Sequence, residues 1–571
     1  MQPFLLSHVL AAIIAIGGVV PHTPSHPDAA IPDAGSARPT RPDEGMWPFD
    51  GLPLQYLKDE YGFEPTPEWL EKVRLSSVRF DTGGSGSFVS PNGLVMTNHH
   101  VALTTLQKIS TPEKDWVKDG FSARLYGSEP KGEDLTLRQL IEIKDVTAEV
   151  TAFKADDKTE AGNEWRAKVE EMTAKLSDDA KHITAELVTH YSGQQYRIYV
   201  YKVYDDVRVV FAPEKQVAFY GGDLDNFTYP RYCLDCAFFR VYENDKPIDS
   251  SKHFFQWNSK GSEVGDLVFV SGHPGDTERL LTYEEMEFRR DVFVPQIVSA
   301  YARAKERYEQ MMARSEDAAF QLRDTYFGIS NTLKAFTGHL AGLRDQEQLD
   351  KIKQRDEELI AKADSPEVKA AFETIAGEMA KLGEKFAGER VNPQELLEET
   401  SRVTDNVLAD AKGTINRARF AVYGKSVYPD ATFTLRLAFG TVKGYEAGTT
   451  KVAPFTTFYG LYNRNLGMGN EPPFDLPAHW LEKRGKLDLG TRYNFVCDAD
   501  IIGGNSGSPV INRDGEVVGL IFDGNIESLP GNFWFDDEVN RAVSVHTGGM
   551  TEALVKIYEE SDLARELRDG K

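Results

Sequence analysis

The chain has 571 residues, with 89 acidic against 65 basic side chains and a formal net charge of -24. That length allows several domains with their own cores, and the negative balance repels phosphate backbones, which argues against a nucleic-acid partner. With 3 cysteines, Cys233, Cys236 and Cys497, the chain has no disulfide scaffold and at most one bridge.

Residues 1–20 contain an apolar run from Leu5 to Val20 behind an n-region without Lys or Arg. They are expected to be an export signal, with a membrane anchor as the alternative. Residues 21–44, rich in Pro, Ala, His and Asp, are expected to be a disordered linker. No later stretch is apolar for long enough to span a bilayer, so a periplasmic or secreted location is expected once the signal is removed. Folding should begin near Gly45-Met46-Trp47-Pro48, with an amphipathic stretch around Glu68 to Leu75. Ser87-Phe88-Val89-Ser90 and Leu94-Val95-Met96-Thr97 then read as strands joined by the turn Pro91-Asn92-Gly93. The second strand ends in Asn98-His99-His100-Val101. A histidine at a strand end can serve as a general base, although a lone histidine there is more often structural. His100 is preferred to His99 because it holds the place of the base in the Thr-Ala-Ala-His pattern of chymotrypsin-like enzymes.

A helical insertion is expected near residues 156–179, after which alternation from Tyr196 to Phe211 restores strand patterning. A polar loop, Gly221 to Arg231, leads to Asp235-Cys236-Ala237-Phe238-Phe239-Arg240-Val241-Tyr242, where an aspartate opens an apolar strand. This syntax suits the carboxylate that orients a catalytic histidine, with the loop acids Asp223 and Asp225 as rivals. Cys233 and Cys236 flank Asp235 without a second pair to complete a zinc site. They are expected to pack, and a bridge from one of them to Cys497 is left open.

Helix is expected over Tyr283 to Arg314, Ala318 to Leu343, Gln346 to Ala363, Pro366 to Phe386 and Pro393 to Phe420. Prolines after Ser365 and Asn392 mark two of the starts. Strand is expected again at Ala431 to Leu437. The organisation read from these signals is a β part at 45–275 carrying His and Asp, an α-helical domain at 276–427 and a β part at 428–571 carrying Ser. Whether the helices cap a site or present a solvated face cannot be told from periodicity.

Gly503-Gly504-Asn505-Ser506-Gly507-Ser508-Pro509 lies between the apolar pairs Phe495-Val496 and Val510-Ile511. Such a turn also suits an ordinary loop or a phosphate nest. The following Asp514-Gly515 turn and the strand from Glu516 to Phe522 are hairpin syntax and not that of a phosphate loop. Flanking glycines can hold Ser506 exposed as a nucleophile, with the N–H groups of Gly504 and Ser506 aimed at an oxyanion.

The segments Ser87 to His100, Gly221 to Arg231 and Ile502 to Asn512 together resemble the bacterial serine dipeptidyl-peptidases that include dipeptidyl-peptidases 7 and 11. Gly45 to Pro48 and Tyr428 to Leu437 are similar to that family too, so the resemblance runs from about residue 45 to the end. It implies a mainly β protein, a chymotrypsin-like double β-barrel with His100, Asp235 and Ser506 as triad, capped by the α-helical insertion. It further implies release of dipeptides from peptides with a free N-terminus, whose ammonium is held by Asn226, Asn331 and Asp523, without metal or cofactor. Gly524 stands where acid-specific members carry arginine, so an apolar or aromatic residue is expected before the scissile bond. The chain departs from the family in being shorter in the helical region and in carrying Phe227 and Tyr229 for tryptophans. It also lacks the cysteines near Gly84 and at Val101, which implies one absent disulfide. Trypsin-like zymogens carry aspartate at the position of Asn505 to pair with a freshly cut N-terminus; an amide cannot, so activation of that kind is not expected. An endoprotease of the same barrel type and a catalytically idle peptide-binding pseudoprotease are the alternative functions, and a homodimer is the assembly considered.

Overall fold

The computed structural model describes residues 44–152, 160–191, 193–388 and 391–570. The expected signal at 1–20, the linker at 21–44 except its last residue, and the beginning of the insertion at 156–179 lie outside them; helix Glu160–Ala174 falls within the expected insertion.

Most of the described β-structure belongs to two sheets. One, ten-stranded, takes its main path through Phe121–Ser122, Val207–Ala212, Ala237–Glu243, Leu94–Thr97, Ser85–Phe88, Ser77–Phe80, Leu137–Asp145, Gln195–Tyr204 and Ile183–His190. The other, nine-stranded, runs Trp47–Pro48, Arg436–Thr441, Leu267–Gly272, Pro509–Ile511, Glu516–Gly524, Ala542–His546, Arg492–Cys497 and Phe455–Thr457, with Gln256–Trp257 alongside in parallel. All other pairings are antiparallel, and neither path returns to its first strand. The expected closed double barrel is therefore two open antiparallel sheets. Strands Trp47–Pro48 and Leu267–Gly272 precede the helical region but join the serine-bearing sheet, so the sheets do not divide at residue 275.

The helical stretch follows its caps. Thr282 and Glu285 form a capping box, Ser315 accepts from the Ala318 amide, and Pro366 and Pro393 open their helices behind Ser365 and Asn392. Their apolar faces close a core of Phe288, Leu359, Phe372, Ile375, Met379 and Leu396. This body is attached to the first sheet through helix Glu316–Leu343, where Arg323 donates to both carboxylate oxygens of Asp115, at 2.5 and 2.7 Å. Gly338 and Gly342, one turn apart, let the same helix rest on Leu529 and Pro530 just beyond the strand Glu516–Gly524.

Two expectations are corrected, and the bridge left open to Cys497 is absent. His99 and His100 do not end a strand but open helix His99–Ile109, behind an extended Asn98. Strand begins only at Arg436, because Phe433 sits at φ 55° and donates its amide to the Pro274 carbonyl, which breaks the ladder the alternation suggested. Cys233, Cys236 and Cys497 are all buried free thiols, so no bridge to Cys497 forms. A Cβ at Gly84 would lie 2.8 Å from the Val101 side chain, so these two backbone positions approach closely.

The last helix, Ser561–Asp569, returns to the first sheet. Its Glu566 accepts from Arg240 at 2.7 and 2.9 Å and from the Ser90 hydroxyl at 2.7 Å, while Glu129 accepts from the other edge of the same guanidinium at 3.1 Å. The Arg240 and Glu129 side chains are each 2% exposed. Removing Glu566 leaves Arg240 its pairing with Glu129 but strips two guanidinium donors and the Ser90 hydroxyl of their buried acceptor, so Glu566→Ala is expected to lower the unfolding free energy by about 3 kcal/mol, read as a shift in the urea midpoint.

Candidate active site

Strand register brings the first pair of side chains together. Ala237 pairs with Thr97 in antiparallel sense, so the residues just before Ala237 lie beside those just after Thr97, and Asp235 meets the start of the His99 helix. Asp235 accepts from the His100 amide through Oδ1 at 3.1 Å, and its Oδ2 lies 2.6 Å from Nδ1 of His100. The Asn98 side chain holds the Asp235 carbonyl at 2.8 Å. Burial disfavours a charged His100, but the Asp235 charge and hydrogen bond outweigh it and raise the imidazole pKa, while the same contact lowers that of Asp235 against its own burial. His99 is buried on the other side and pushed down to about 4 by desolvation. Of the rival acids, Asp225 pairs with Arg464 at 2.5 Å and Asp223 with Lys305 at 3.0 Å; neither is hydrogen-bonded to His100.

The serine turn comes from the second sheet and is fastened to the first. Ser85 donates its amide to the Ser506 carbonyl at 2.7 Å and its hydroxyl to the Gly504 carbonyl at 2.8 Å, while accepting the His273 amide at 2.8 Å. On the other flank the Gly275 amide donates to the Gly503 carbonyl at 2.7 Å. Gly504 and Gly507 have φ of 97° and 86°, and a Cβ on Gly504 would lie 2.7 Å from the Gly275 nitrogen. Only glycine fits such an approach. Within the turn the amides of Asn505, Gly507 and Ser508 donate to Ile502, Ile521 and Asn505 carbonyls. Those of Gly503, Gly504 and Ser506 have no acceptor among the described residues. Ser506 is half-buried.

The hairpin register, with Pro509 opposite Leu520 and the Gly507 amide on the Ile521 carbonyl, runs the serine turn alongside the strand that carries Asp523. Asp523 is buried; it accepts from the Phe227 amide at 2.9 Å, from its neighbour Gly524 at 2.9 Å, and from Arg231. Next to Phe227, the Asn226 amide group donates to Oδ1 of Asn331 at 3.0 Å. The three residues expected to hold an ammonium are thus joined through the loop Asp225–Arg231, and helix Glu316–Leu343 brings Asn331 to it, so the helical body forms one wall. Asp523 and Arg231 act on His100 with opposite sign, which puts this polar end within electrostatic reach of the imidazole. Among the described residues no group of three or more His, Cys, Asp or Glu is gathered as a metal site.

Sequence reasoning missed Ser85, Asn98 and Arg231. The Gly83-Gly84-Ser85-Gly86 run carried a signal for Ser85, since three glycines around one serine are rare without a close approach; Arg231 and Asn98 gave none, because their partners are remote in the chain.

Comparison with known proteins finds the family Peptidase S46 over residues 42–388 and 367–569. Dipeptidyl-peptidase 7 of Capnocytophaga gingivalis is 23% identical, with 88% of this chain and 94% of that protein covered. An Asp/Glu-specific dipeptidyl-peptidase of Shewanella putrefaciens is 22% identical over 92% of this chain and 97% of its own. The crystal structure of Porphyromonas endodontalis DPP11 with the dipeptide Arg-Glu superposes with a TM-score of 0.82 at 18% identity, covering 92% of this chain and 99% of that one. An alternate conformation of the same protein gives 0.69. The sheets, the helical insertion and the match along nearly the whole folded length lead to one assignment: this chain belongs to the Peptidase S46 family.

Proposed function

We propose that the protein is a serine dipeptidyl-peptidase that removes two residues at a time from peptides with a free N-terminus. In this reading His100, oriented by Asp235, takes the proton of Ser506 as its oxygen attacks the second peptide carbonyl. The N–H groups of Gly504 and Ser506 receive the oxyanion, and the protonated His100 then gives its proton to the leaving amine. Water repeats the sequence to release the dipeptide. The observation that carries the reading is the hydrogen-bonded cluster of Asp523, the Phe227 amide, Asn226 and Asn331, felt electrostatically at His100, which we read as the wall that stops the substrate's N-terminus. An ammonium has three donors and no acceptor. Asp523 and the two asparagine side chains offer acceptor oxygens for it, with Arg231 offsetting part of the carboxylate charge. A chain that must begin at that wall is counted off at a fixed length. The apolar leader at 1–20 supports export to the periplasm or medium. The arrangement of two sheets around one site supports a distorted, open relative of the chymotrypsin double barrel.

We also place a neutral, apolar or aromatic residue before the scissile bond. A Cβ at Gly524 would run into the Ser528 hydroxyl and lie 3.7 Å from the Arg541 carbonyl. The Arg541 guanidinium is committed to the carbonyls of Gly444, Asp537, Glu538 and Asn540. It offers no free charge to a substrate carboxylate, and an unpaired buried carboxylate is costly.

Three outcomes are expected. A chromogenic dipeptide with a free amine is hydrolysed and its N-acetylated form is not, while Ser506→Ala abolishes turnover without moving the unfolding midpoint; cleavage of the acetylated compound would instead indicate an endoprotease, and a wild-type Ser506 that a fluorophosphonate fails to label, an idle pseudoprotease. The acid limb of kcat/KM lies above the ordinary imidazole value of 6.5, since neutral His100 is required and its pKa is raised; activity falls as pH drops through that limb, and a limb at or below 6.5 would contradict the pairing with Asp235. Across dipeptides differing in the second residue, Leu and Phe exceed Asp and Glu in kcat/KM by about 10-fold or more; the reverse order would assign the acid specificity of the Shewanella putrefaciens relative.

A further inference from the structure

A short segment from the start of the folded chain is buried beneath the serine turn. The Gly45 amide donates to Oδ2 of Asp500 at 3.0 Å. Asp500 is fully buried, six residues ahead of Ser506, and its carboxylate also receives the Arg279 guanidinium, with Oδ1 accepting at 2.8 Å. Arg279 donates onward to the Gly531 carbonyl at 2.9 Å and the Tyr428 hydroxyl at 2.9 Å, and Tyr428 donates to Glu44 at 2.5 Å. Met46, 2% exposed, then places its sulfur 3.8 Å from Nδ2 of Asn505, whose Oδ1 lies 3.3 Å from the Ser508 hydroxyl. Trp47 and Pro48 complete the anchorage by pairing with Leu437 and Arg436. Gly45 has φ 127°, and a Cβ there would lie 2.5 Å from the Trp47 ring nitrogen and 2.7 Å from Tyr428. Backbone and side chains together fix one path for these residues.

Asn505 is the residue between the two amides proposed to hold the oxyanion. In trypsin-like zymogens an aspartate at this place must capture a new N-terminal ammonium before the turn takes its working shape. Here the support under Asn505 is a thioether, and the nearby buried carboxylate is satisfied by arginine and a peptide N–H. We propose that residues 44–47 are a built-in activation segment: Gly45 on Asp500 and Met46 under Asn505 hold the oxyanion-binding turn in shape through a peptide N–H and a thioether, in place of a new N-terminal ammonium. Gly45 and Met46 are positioning residues, since they act through Asp500 and Asn505 and touch no substrate. The inference rests on the reading of Ser506 as nucleophile and adds the means by which its turn is kept ready without a proteolytic cut.

The test uses the full chain and two readouts, steady-state hydrolysis of a free-amine dipeptide substrate and the rate at which a fluorophosphonate labels Ser506. In Met46→Ala, kcat and the labelling rate are expected to fall together by about 10- to 100-fold, with KM changed by no more than about 2-fold, because the turn and not the amine-binding end is loosened. Met46→Leu, which restores the volume, is expected to recover both to within about 3-fold. Met46→Ala with the wild-type labelling rate overturns the proposal, as does a loss confined to KM. Asn505→Ala removes the same contact from the other side and should lose labelling equally, so the proposal stays open to refutation if Met46→Ala does not fold; wild-type labelling of Asn505→Ala also overturns it. Absence of labelling in the unmodified protein would instead remove Ser506 as nucleophile, a failure of the functional reading that these variants do not produce.

Discussion

A seam of hydrogen bonds at Ser85 decides whether the molecule has a site at all. His100 and Asp235 sit just outside two paired strands of one sheet and Ser506 on a turn of the other, and nothing in the packing of either sheet alone fixes their separation. Ser85 fastens the two by holding the carbonyls of Ser506 and Gly504 with its amide and hydroxyl. Thr97, at the end of the strand that leads to His100, in turn donates to the Ser85 carbonyl at 2.7 Å. A displacement of an ångström at this seam shifts Ser506 relative to His100, and orientation on that scale governs a large part of catalytic rate. The glycines on both sides follow from the same constraint, because backbone must touch backbone there.

The polar end of the cleft shows a second balance. Asp523 and Arg231 are both nearly inaccessible and are paired, which spares each the cost of an isolated buried charge. Arg231 occupies one side of the carboxylate, while the Phe227 and Gly524 amides donate to its oxygens.

Much of this was legible in the sequence, for identifiable reasons. The helix starts at Pro366 and Pro393 were readable because a cap and a proline are local signals. The hairpin after Pro509 was readable because a turn and alternating apolar residues lie within a few positions. His100, Asp235 and Ser506 stood out from residue type and neighbours. What was lost depends on remote partners: Ser85 with Gly504, Arg231 with Asp523 and Gly45 with Asp500 are joined across hundreds of positions. The stretch from Ala431 to Leu435 alternates like a strand, yet the Ala431 amide goes to the Thr277 hydroxyl and that of Phe433 to Pro274, so tertiary contacts took the hydrogen bonds that a ladder needed.

The interleaving of strands has a consequence for the order of events during synthesis. The serine-bearing sheet takes Trp47–Pro48, Gln256–Trp257 and Leu267–Gly272 from ahead of the helical region but needs its remaining strands from beyond residue 435, and the first sheet waits for Glu566 to satisfy Arg240. A ribosome delivers these pieces last. Nascent chains therefore carry His100 and Asp235 through the whole synthesis of the helical region before Ser506 is made, and the capacity to cut peptides arises only as the final stretch emerges.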